Sequence, residues 1–325
     1  MDRLDPSDLA LLDRFQRDLP LEPRPFATIG ATLGLAEAEV IDRLTRMQAE
    51  GRIARVGATV RPNTAGASTL AALAVPEDRI EEVAAIVGAE PGVNHSYLRE
   101  ADWNLWFVAT APDAAALRTM LARIEATTDL PLLDLRLVRP FNIDLGFPLA
   151  GGPVAMPGGR SVQSTFLRAD DRPLLHALSK GLDLTPRPYA RLAQHLGREE
   201  IVVIARIGAL LAAGILTRLG VIVRHRALGF TSNAMVVWDV PETATLAAGR
   251  ALAALPGVTL AYERRPVAGV WPYRLYCMIH ARSRPEALTV LDAARALPAL
   301  AGVDHRVLFS TRCFKQCGAR LSEAA

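Results

Sequence analysis

Pro23-Arg24-Pro25-Phe26 returns as Pro186-Arg187-Pro188-Tyr189, 163 residues later. Gly34, Gly51 and Gly66 recur at the same spacing as Gly197, Gly214 and Gly229. Farther along, Pro91-Gly92-Val93 matches Pro256-Gly257-Val258 at 165, and Leu105-Trp106 matches Leu275-Tyr276 at 170. The second copy has gained two residues in one place and five in another, both between patterned segments, where loops absorb insertions. Between the copies, Gly151-Gly152-Pro153-Val154-Ala155-Met156-Pro157-Gly158-Gly159 has the composition of a linker. The chain reads as a tandem duplication.

Each copy opens with helical spacing. Over 8–19, Leu9, Leu12, Phe15 and Leu19 fall three and four residues apart, which predicts one apolar helix face. Pro20, Pro23 and Pro25 mark a turn, and a second helix is expected over 26–33, stopped by Gly34. Val40, Leu44 and Met47 make the stripe of a third helix over 36–50, after which Arg52-Ile53-Ala54-Arg55-Val56 alternates like a strand. Three short helices and a small strand describe a winged helix-turn-helix, and residues 173–223 repeat the plan. The remainder of each copy alternates strand and helix. Strands are expected at 69–75, 93–99, 104–110 and 132–138, with helices at 77–88 and 113–128. The second copy places strands near 233–240, 258–263, 273–280 and 304–310. The order βαββαβ is the ferredoxin-like plan, with helices on one face of an antiparallel sheet. The expected fold class is α+β, a tandem duplication of winged helix-turn-helix plus ferredoxin-like domain. Its expected divisions are 1–62 and 63–150, a linker at 151–168, then 169–225 and 226–325.

Composition fits this plan. A chain of 325 residues, 50% hydrophobic and 22% charged, is long enough for two or more domains and too apolar to be disordered. No apolar run is long enough to span a membrane, and Met1-Asp2-Arg3-Leu4-Asp5 does not open a signal peptide. Three cysteines are too few for a disulfide framework, so a cytoplasmic protein is expected. Lys180 and Lys315 are the only lysines, so arginine makes up 35 of the 37 basic residues. Codon bias explains such a skew; so does a partner rich in carboxylate or phosphate, which the guanidinium fork grips in bidentate fashion. Composition leaves both open.

A winged helix-turn-helix followed by a ferredoxin-like domain resembles the Lrp/AsnC transcriptional regulators. The third helices argue against DNA. One begins Ala36-Glu37-Ala38-Glu39 and carries Asp42; the other begins Arg198-Glu199-Glu200 and continues Ile201-Val202-Val203-Ile204. A helix entering the major groove needs donors for bases and phosphates, and carboxylates repel phosphate. Specific DNA binding is not expected.

Other motifs point elsewhere. Val93-Asn94-His95-Ser96-Tyr97-Leu98-Arg99-Glu100, followed by Asn104-Leu105-Trp106-Phe107-Val108, resembles the sirohaem (siroheme) decarboxylases, enzymes built on this regulator fold. Arg61-Pro62-Asn63-Thr64, Arg224-His225-Arg226-Ala227-Leu228-Gly229-Phe230 and Tyr262-Glu263-Arg264-Arg265-Pro266 fit the same family, as do Trp271-Pro272-Tyr273-Arg274-Leu275 and Met278-Ile279-His280. The likeness covers nearly the whole chain and is greatest to the fused, two-subunit form of haem d1 biosynthesis. It implies removal of carbon dioxide from the C12 and C18 acetates of sirohaem to give 12,18-didecarboxysirohaem. The iron tetrapyrrole is then the substrate, and no cofactor or protein-bound metal is required. One departure is notable: the family motif carries histidine where this chain has Ala101, which implies that the first copy is not catalytic by itself. A duplicated regulator binding a small effector, or a non-catalytic tetrapyrrole carrier, are the alternatives.

Losing carbon dioxide leaves electrons on carbon, so a proton must be delivered there. Histidine suits this, with an unperturbed pKa of about 6.5, and it also ligates iron. The resemblance assigns catalysis to His280 and His225, with His95 lining the same pocket; any of the three could meet the substrate iron. His176 and His195 read as structural, and His305 with Cys313 and Cys317 lacks the spacing of a metal site. A substrate with eight carboxylates needs cations, for which Arg99, Arg264, Arg274, Arg306 and Lys315 are candidates. Tyr262, Trp271 and Tyr273 would flank the macrocycle. Each of these is, taken alone, equally a surface charge or a core aromatic. The copies are expected to pack as a pseudo-dimer, and chains to form a homo-oligomer through the ferredoxin-like sheets.

Overall fold

The computed structural model describes residues 4–143, 146, 149 and 164–318. The expected linker lies outside the described residues up to position 163. The chain divides into two compact units, and each draws on both copies.

The helical unit contains α1 (Pro6–Arg14), α2 (Pro25–Leu33), α3 (Glu37–Ala49) and strand β1 (Ile53–Val60) from the first copy. The second copy supplies α6 (Asp171–Lys180), α7 (Pro188–His195), α8 (Glu200–Ala212) and strand β6 (Leu216–Val223). Leu11, Leu12, Phe26, Ile29, Val40, Leu44 and Met47 are wholly buried, so the helical stripes form the core as their spacing requires. β1 and β6 pair with each other, antiparallel. Each copy thus supplies a single wing strand and borrows its partner from the other.

This sharing explains why α1 stops at Arg14 and not at the expected residue 19. The chain after it leaves the helix to meet β6: Val221 N–H donates to Phe15 O (2.7 Å) and Leu19 N–H to Leu219 O (3.1 Å). The pseudo-equivalent bond runs the other way, from Leu182 N–H to Val56 O (2.7 Å). Gly57 and Gly220 face each other in the register, and a Cβ on either would lie 2.4–2.5 Å from a backbone oxygen of these crossing segments. Only glycine permits that approach.

In the sheet unit the first copy provides β2 (Ala67–Leu73), α4 (Ile80–Ala89), β3 (Val93–Arg99), β4 (Leu105–Ala111), α5 (Ala114–Thr128) and β5 (Leu132–Asn142). The second provides β7 (Ser232–Trp238), α9 (Thr245–Ala254), β8 (Val258–Arg264), β9 (Leu275–Ala281), α10 (Arg284–Arg295) and β10 (His305–Gln316). Both follow βαββαβ. Helices cover one face of each sheet: Val83, Val87, Leu117 and Ile124 pack on Val93, Leu105 and Phe107. Leu252 and Leu291 do the same on Val258, Leu275 and Ile279.

β5 and β10 extend well past their expected ends at 138 and 310, because each crosses between sheets. β5 pairs with β2 through Leu132–Arg136 and with β8 through Leu137–Asn142; β10 pairs first with β7, then with β3. The eight strands close into a barrel in the order β10-β3-β4-β2-β5-β8-β9-β7. The sheet pairing expected between chains is therefore made within one chain. Among the described residues every strand of the barrel has two neighbours, and no helix is long and apolar enough to cross a membrane.

Candidate active site

Strand alternation decides which side chains enter the barrel. Trp106, Leu70, Leu135, Met235, Val237, Tyr276, Met278 and Leu308 form the inner cluster, and the intervening residues pack on the helices. Across β3 and β4, Tyr97 stands opposite Trp106 and His95 opposite Val108, so both face inward. On β9, His280 follows Tyr276 and Met278 at intervals of two and shares their face. Asn233 pairs with His280 across β7 and β9, on that side too.

The two copies contribute matching cations. Arg99, 7% exposed, donates from Nη1 to Leu308 O (3.0 Å), the crossing strand of the other copy. Arg264 donates in the mirror sense to Leu135 O (2.7 Å). Arg99 lies 5.7 Å from the Tyr97 ring centre and Arg264 4.6 Å from that of Tyr262, a cation–π arrangement in both. Neither guanidinium has a carboxylate at ion-pair distance among the described residues, and the buried Nε of each lacks an acceptor. Burial pushes the Arg99 guanidinium down to about 10 and lowers that of Arg264 as well. Arg264 is less fully enclosed than Arg99. Among other buried or half-buried arginines, Arg206 is paired with Asp171 and Arg43 with Asp8.

Aromatic side chains fill the space between. The loop joining β8 to β9 folds back through a Val267–Trp271 bridge and buries Trp271, 1% exposed. Its Nε1 donates to the Tyr276 hydroxyl (2.8 Å), and its ring lies 5.3 Å from Trp106 and 5.0 Å from Tyr273. Tyr262 stacks on Tyr276 at 5.6 Å. Ala101 and Trp103, in the shorter loop of the first copy, border the same cluster. A histidine at 101 would border it too, so its replacement by alanine removes a polar group from the inner face.

Each inward histidine is held through Nδ1. Asn94 Oδ1 lies 3.0 Å from His95 Nδ1, and Thr259 Oγ1 lies 2.6 Å from His280 Nδ1. Asn94 and Thr259 are both 4% exposed.

The structure gathers His95, His280, Arg99, Arg264, Tyr262, Trp271 and Tyr273 on the inner face. Arg306, half exposed, borders it over Tyr273 (5.7 Å) and pairs with Asp102 (3.7 Å). Three expected residues lie apart. Lys315 faces the helix layer, where its ammonium donates to Gly88 O (2.6 Å) and Glu90 O (3.1 Å) at the end of α4. Arg274 is paired with Glu242 (3.3 Å) and Glu263 (3.8 Å). His225 starts a 3-10 turn, His225–Leu228, within the helical unit. Sequence reasoning missed Tyr97, Thr259 and Asn233. Tyr97 was open to discovery, since Tyr97/Tyr262 and Arg99/Arg264 share the 165-residue spacing of the repeat. Asn233 is 7% exposed and its Oδ1 has no hydrogen-bond partner among the described residues; a lone strand asparagine gives no sequence signal of that.

Comparison with known proteins agrees with this architecture. Residues 8–53 and 171–216 match the siroheme decarboxylase NirDL-like HTH domain, and residues 65–141 and 227–315 match the AsnC-like ligand binding domain. The chain is 64% identical over 322 residues to the siroheme decarboxylase NirDL subunit of Paracoccus denitrificans, covering 99% of each. Part of it, 43% of the chain, is 50% identical to 91% of the siroheme decarboxylase NirD subunit of Stutzerimonas stutzeri. A crystal structure of the siroheme decarboxylase NirDL in co-complex with an iron-uroporphyrin III analogue superposes with a TM-score of 0.69 at 25% identity, covering 98% of this chain and 94% of that one. Matched in both domains of both copies, and from end to end by a relative, the chain belongs to the siroheme decarboxylase family of the NirDL type.

Proposed function

We propose that this chain removes carbon dioxide from the C12 and C18 acetates of sirohaem, giving 12,18-didecarboxysirohaem. It does so in the cytoplasm and with no cofactor beyond the substrate's own iron. Besides family membership, one observation carries the reading. Two enclosed guanidiniums without carboxylate partners share an inner face with two histidines and a wall of aromatics. An unpaired buried cation is costly, and it persists most readily where a ligand supplies the missing anion.

The chemistry assigns different work to each group. For each acetate, the bond from methylene to carboxylate breaks, carbon dioxide leaves, and the methylene carbon takes a proton to become methyl. His280 is the proposed donor. A cation on the departing carboxylate would stabilise the ground state and oppose its loss. Arg99 and Arg264 therefore hold carboxylates that remain, each charged hydrogen bond being worth about 1.5–3 kcal/mol. The departing groups are placed against apolar walls such as Met278 and Leu260. Tyr262, Trp271 and Tyr273 would face the macrocycle, and His95 would serve the other half of the pocket. His225 remains a second histidine to test, with Arg274, Arg306 and Lys315 as outer cations. Further assembly into a homo-oligomer, and division at residues 62, 150, 168 and 225, complete the proposal.

Anaerobic incubation of purified protein with sirohaem, followed by mass spectrometry, tests it. The expected product has lost two molecules of carbon dioxide. Bound pigment of unchanged mass would instead identify a carrier.

A further inference from the structure

His280 meets Thr259 through Nδ1, and Thr259 has two neighbours to satisfy with one proton. Its Oγ1 lies 3.1 Å from Met278 O and 2.6 Å from His280 Nδ1. A carbonyl oxygen only accepts. If the hydroxyl proton pointed at Nδ1, two oxygens would face each other at 3.1 Å with only lone pairs between them. The proton therefore lies toward Met278 O, and the hydroxyl accepts from Nδ1–H. The neutral imidazole then carries its lone pair at Nε2.

The first copy repeats the device with different atoms. Asn94 stands 165 residues before Thr259, at the pseudo-equivalent position. The register of both strand pairs shifts there, between Val93 and His95 and between Val258 and Leu260. The bulge turns a buried polar side chain toward the inward histidine. Asn94 Oδ1, also an acceptor, takes His95 Nδ1–H at 3.0 Å.

The geometry points to Thr259 as the positioning residue that fixes the tautomer of His280, with Asn94 doing the same for His95. Resting on the reading of His280 as proton donor or iron ligand, this adds what makes the ring fit for either task. Nε2 is the nitrogen presented to substrate, and the ring plane is pinned from behind. Fixing a functional imidazole through its other nitrogen commonly matters 10–100-fold in affinity or activity.

Two readouts separate this role from simple packing. Histidine nitrogens labelled with 15N and observed by long-range NMR in the ligand-free protein report the tautomer directly; His280→Gln identifies the signal. The expected wild-type state is Nδ1–H. Thr259→Val, which keeps the shape and loses the hydroxyl, should mix the tautomers and lower sirohaem turnover about 10–100-fold. It should also alter the absorption spectrum of added iron uroporphyrin III. Thr259→Ser should restore all three. An Nε2–H signal in wild type overturns the assignment. So does a Val variant that matches wild type in tautomer and turnover, or a Ser variant as impaired as Val. A wild type with the expected tautomer that leaves sirohaem unchanged overturns the functional reading, and not the geometry.

Discussion

Laid over each other, the two copies agree at some inward positions and disagree at others. Tyr97 and Arg99 have counterparts in Tyr262 and Arg264, and each arginine reaches a carbonyl on the other copy's crossing strand. Yet His95 corresponds to Leu260, while His280 corresponds to Thr110, one strand over. Asn233 opposite His280 corresponds to Ser68 opposite Thr110. Loop lengths diverge as well: the second copy's longer loop buries Trp271 within the inner cluster, whereas the first copy's shorter loop leaves Trp103 partly exposed at its border. Under the proposed function the retained pairs bind negative charge, a task that either half can share. The divergent pairs are the ones to which the same proposal gives directional chemistry, which a flat substrate with inequivalent edges does not need twice.

The largest effect expected from this asymmetry is at the histidines. A general acid contributes about 10²–10⁴ in rate, so His280→Ala should lower turnover at least a hundredfold in a protein that still melts like wild type. His95→Ala should cost less, because no catalytic partner at Ala101 completes the first copy. His225→Ala, in the helical unit, belongs in the same series. Rates normalised to bound substrate decide the ranking. If His95→Ala is inactive and His280→Ala is near normal, the working half has been placed backwards.

The helical unit offers the next contrast. Asp171 and Arg206 form a bidentate pair, with Nε to Oδ1 at 2.7 Å and both side chains buried. The equivalent Asp8 is as buried, but its partners Arg43 and Arg46 are more exposed, and Arg43 also holds Glu39 and Asp5. Breaking a buried pair strands the remaining charge and costs about 3–5 kcal/mol. Asp171→Ala should therefore destabilise by roughly that amount, and Asp8→Ala by less, since Arg43 keeps other acids. Urea titration measures both. Acid gives a second check. Burial works to raise the Asp171 carboxyl, but its hydrogen bonds from Arg206 and the Arg168 N–H prevail and hold it below the ordinary 3.8. A depressed carboxyl contributes stability above its unfolded value that is lost as pH falls through the folded one. The pair's contribution should fade only below about pH 3.8.

How much of this was legible beforehand follows from what periodicity reports. The helical stripes and all eight barrel strands were readable because local alternation is written within one segment. The exchanged halves of β5 and β10 were not. Val138-Arg139-Pro140-Phe141 and Thr311-Arg312-Cys313-Phe314 gain their strand character from partners in the other copy. The early end of α1 was hidden for the same reason. At the site, the family resemblance marked His95 and His280, while residue type and position on the strands marked Arg99 and Arg264. What set Arg99 and Arg264 apart from Arg274 was the absence of an acid beside them, a property of the folded neighbourhood. Lys315 shows the converse: a cation at a promising position is occupied by the end of a helix.

Smaller effects are expected at the paired arginines. Arg99→Met and Arg264→Met should each weaken sirohaem binding by roughly 1–3 kcal/mol, the first more, because Arg99 is the more enclosed. Stability should hold or rise, since methionine removes an uncompensated charge while filling similar volume. Calorimetric binding alongside thermal melts tests both halves of the statement. A lower Tm with unchanged affinity would make these side chains clasps for the exchanged strands and nothing more.

The smallest effect concerns the helices that would enter DNA in a regulator of this architecture. Arg24 is salt-bridged to Glu37 in α3, and Arg187 to Glu200 in α8, so both copies spend a first-turn carboxylate on an arginine before the helix. Beyond that clasp the copies part. α3 presents Glu39 and Asp42, whereas α8 presents Ile201 and Val202, 67% and 52% exposed. One surface repels phosphate, and the other has no donor for a base edge. Glu37→Ala and Glu200→Ala should shift Tm only slightly, because each pair is open to solvent at its arginine end and such pairs contribute little. They should create no sequence preference either, since removing an acid adds no donor. Fluorescence anisotropy with random and genomic duplexes at physiological salt should find, in wild type and both variants, only weak association that disappears as salt rises. A sequence-specific complex tighter than the micromolar non-specific range would show that at least one helix still reads DNA. Repeating the titration with Ile201→Glu would then tell which copy does so.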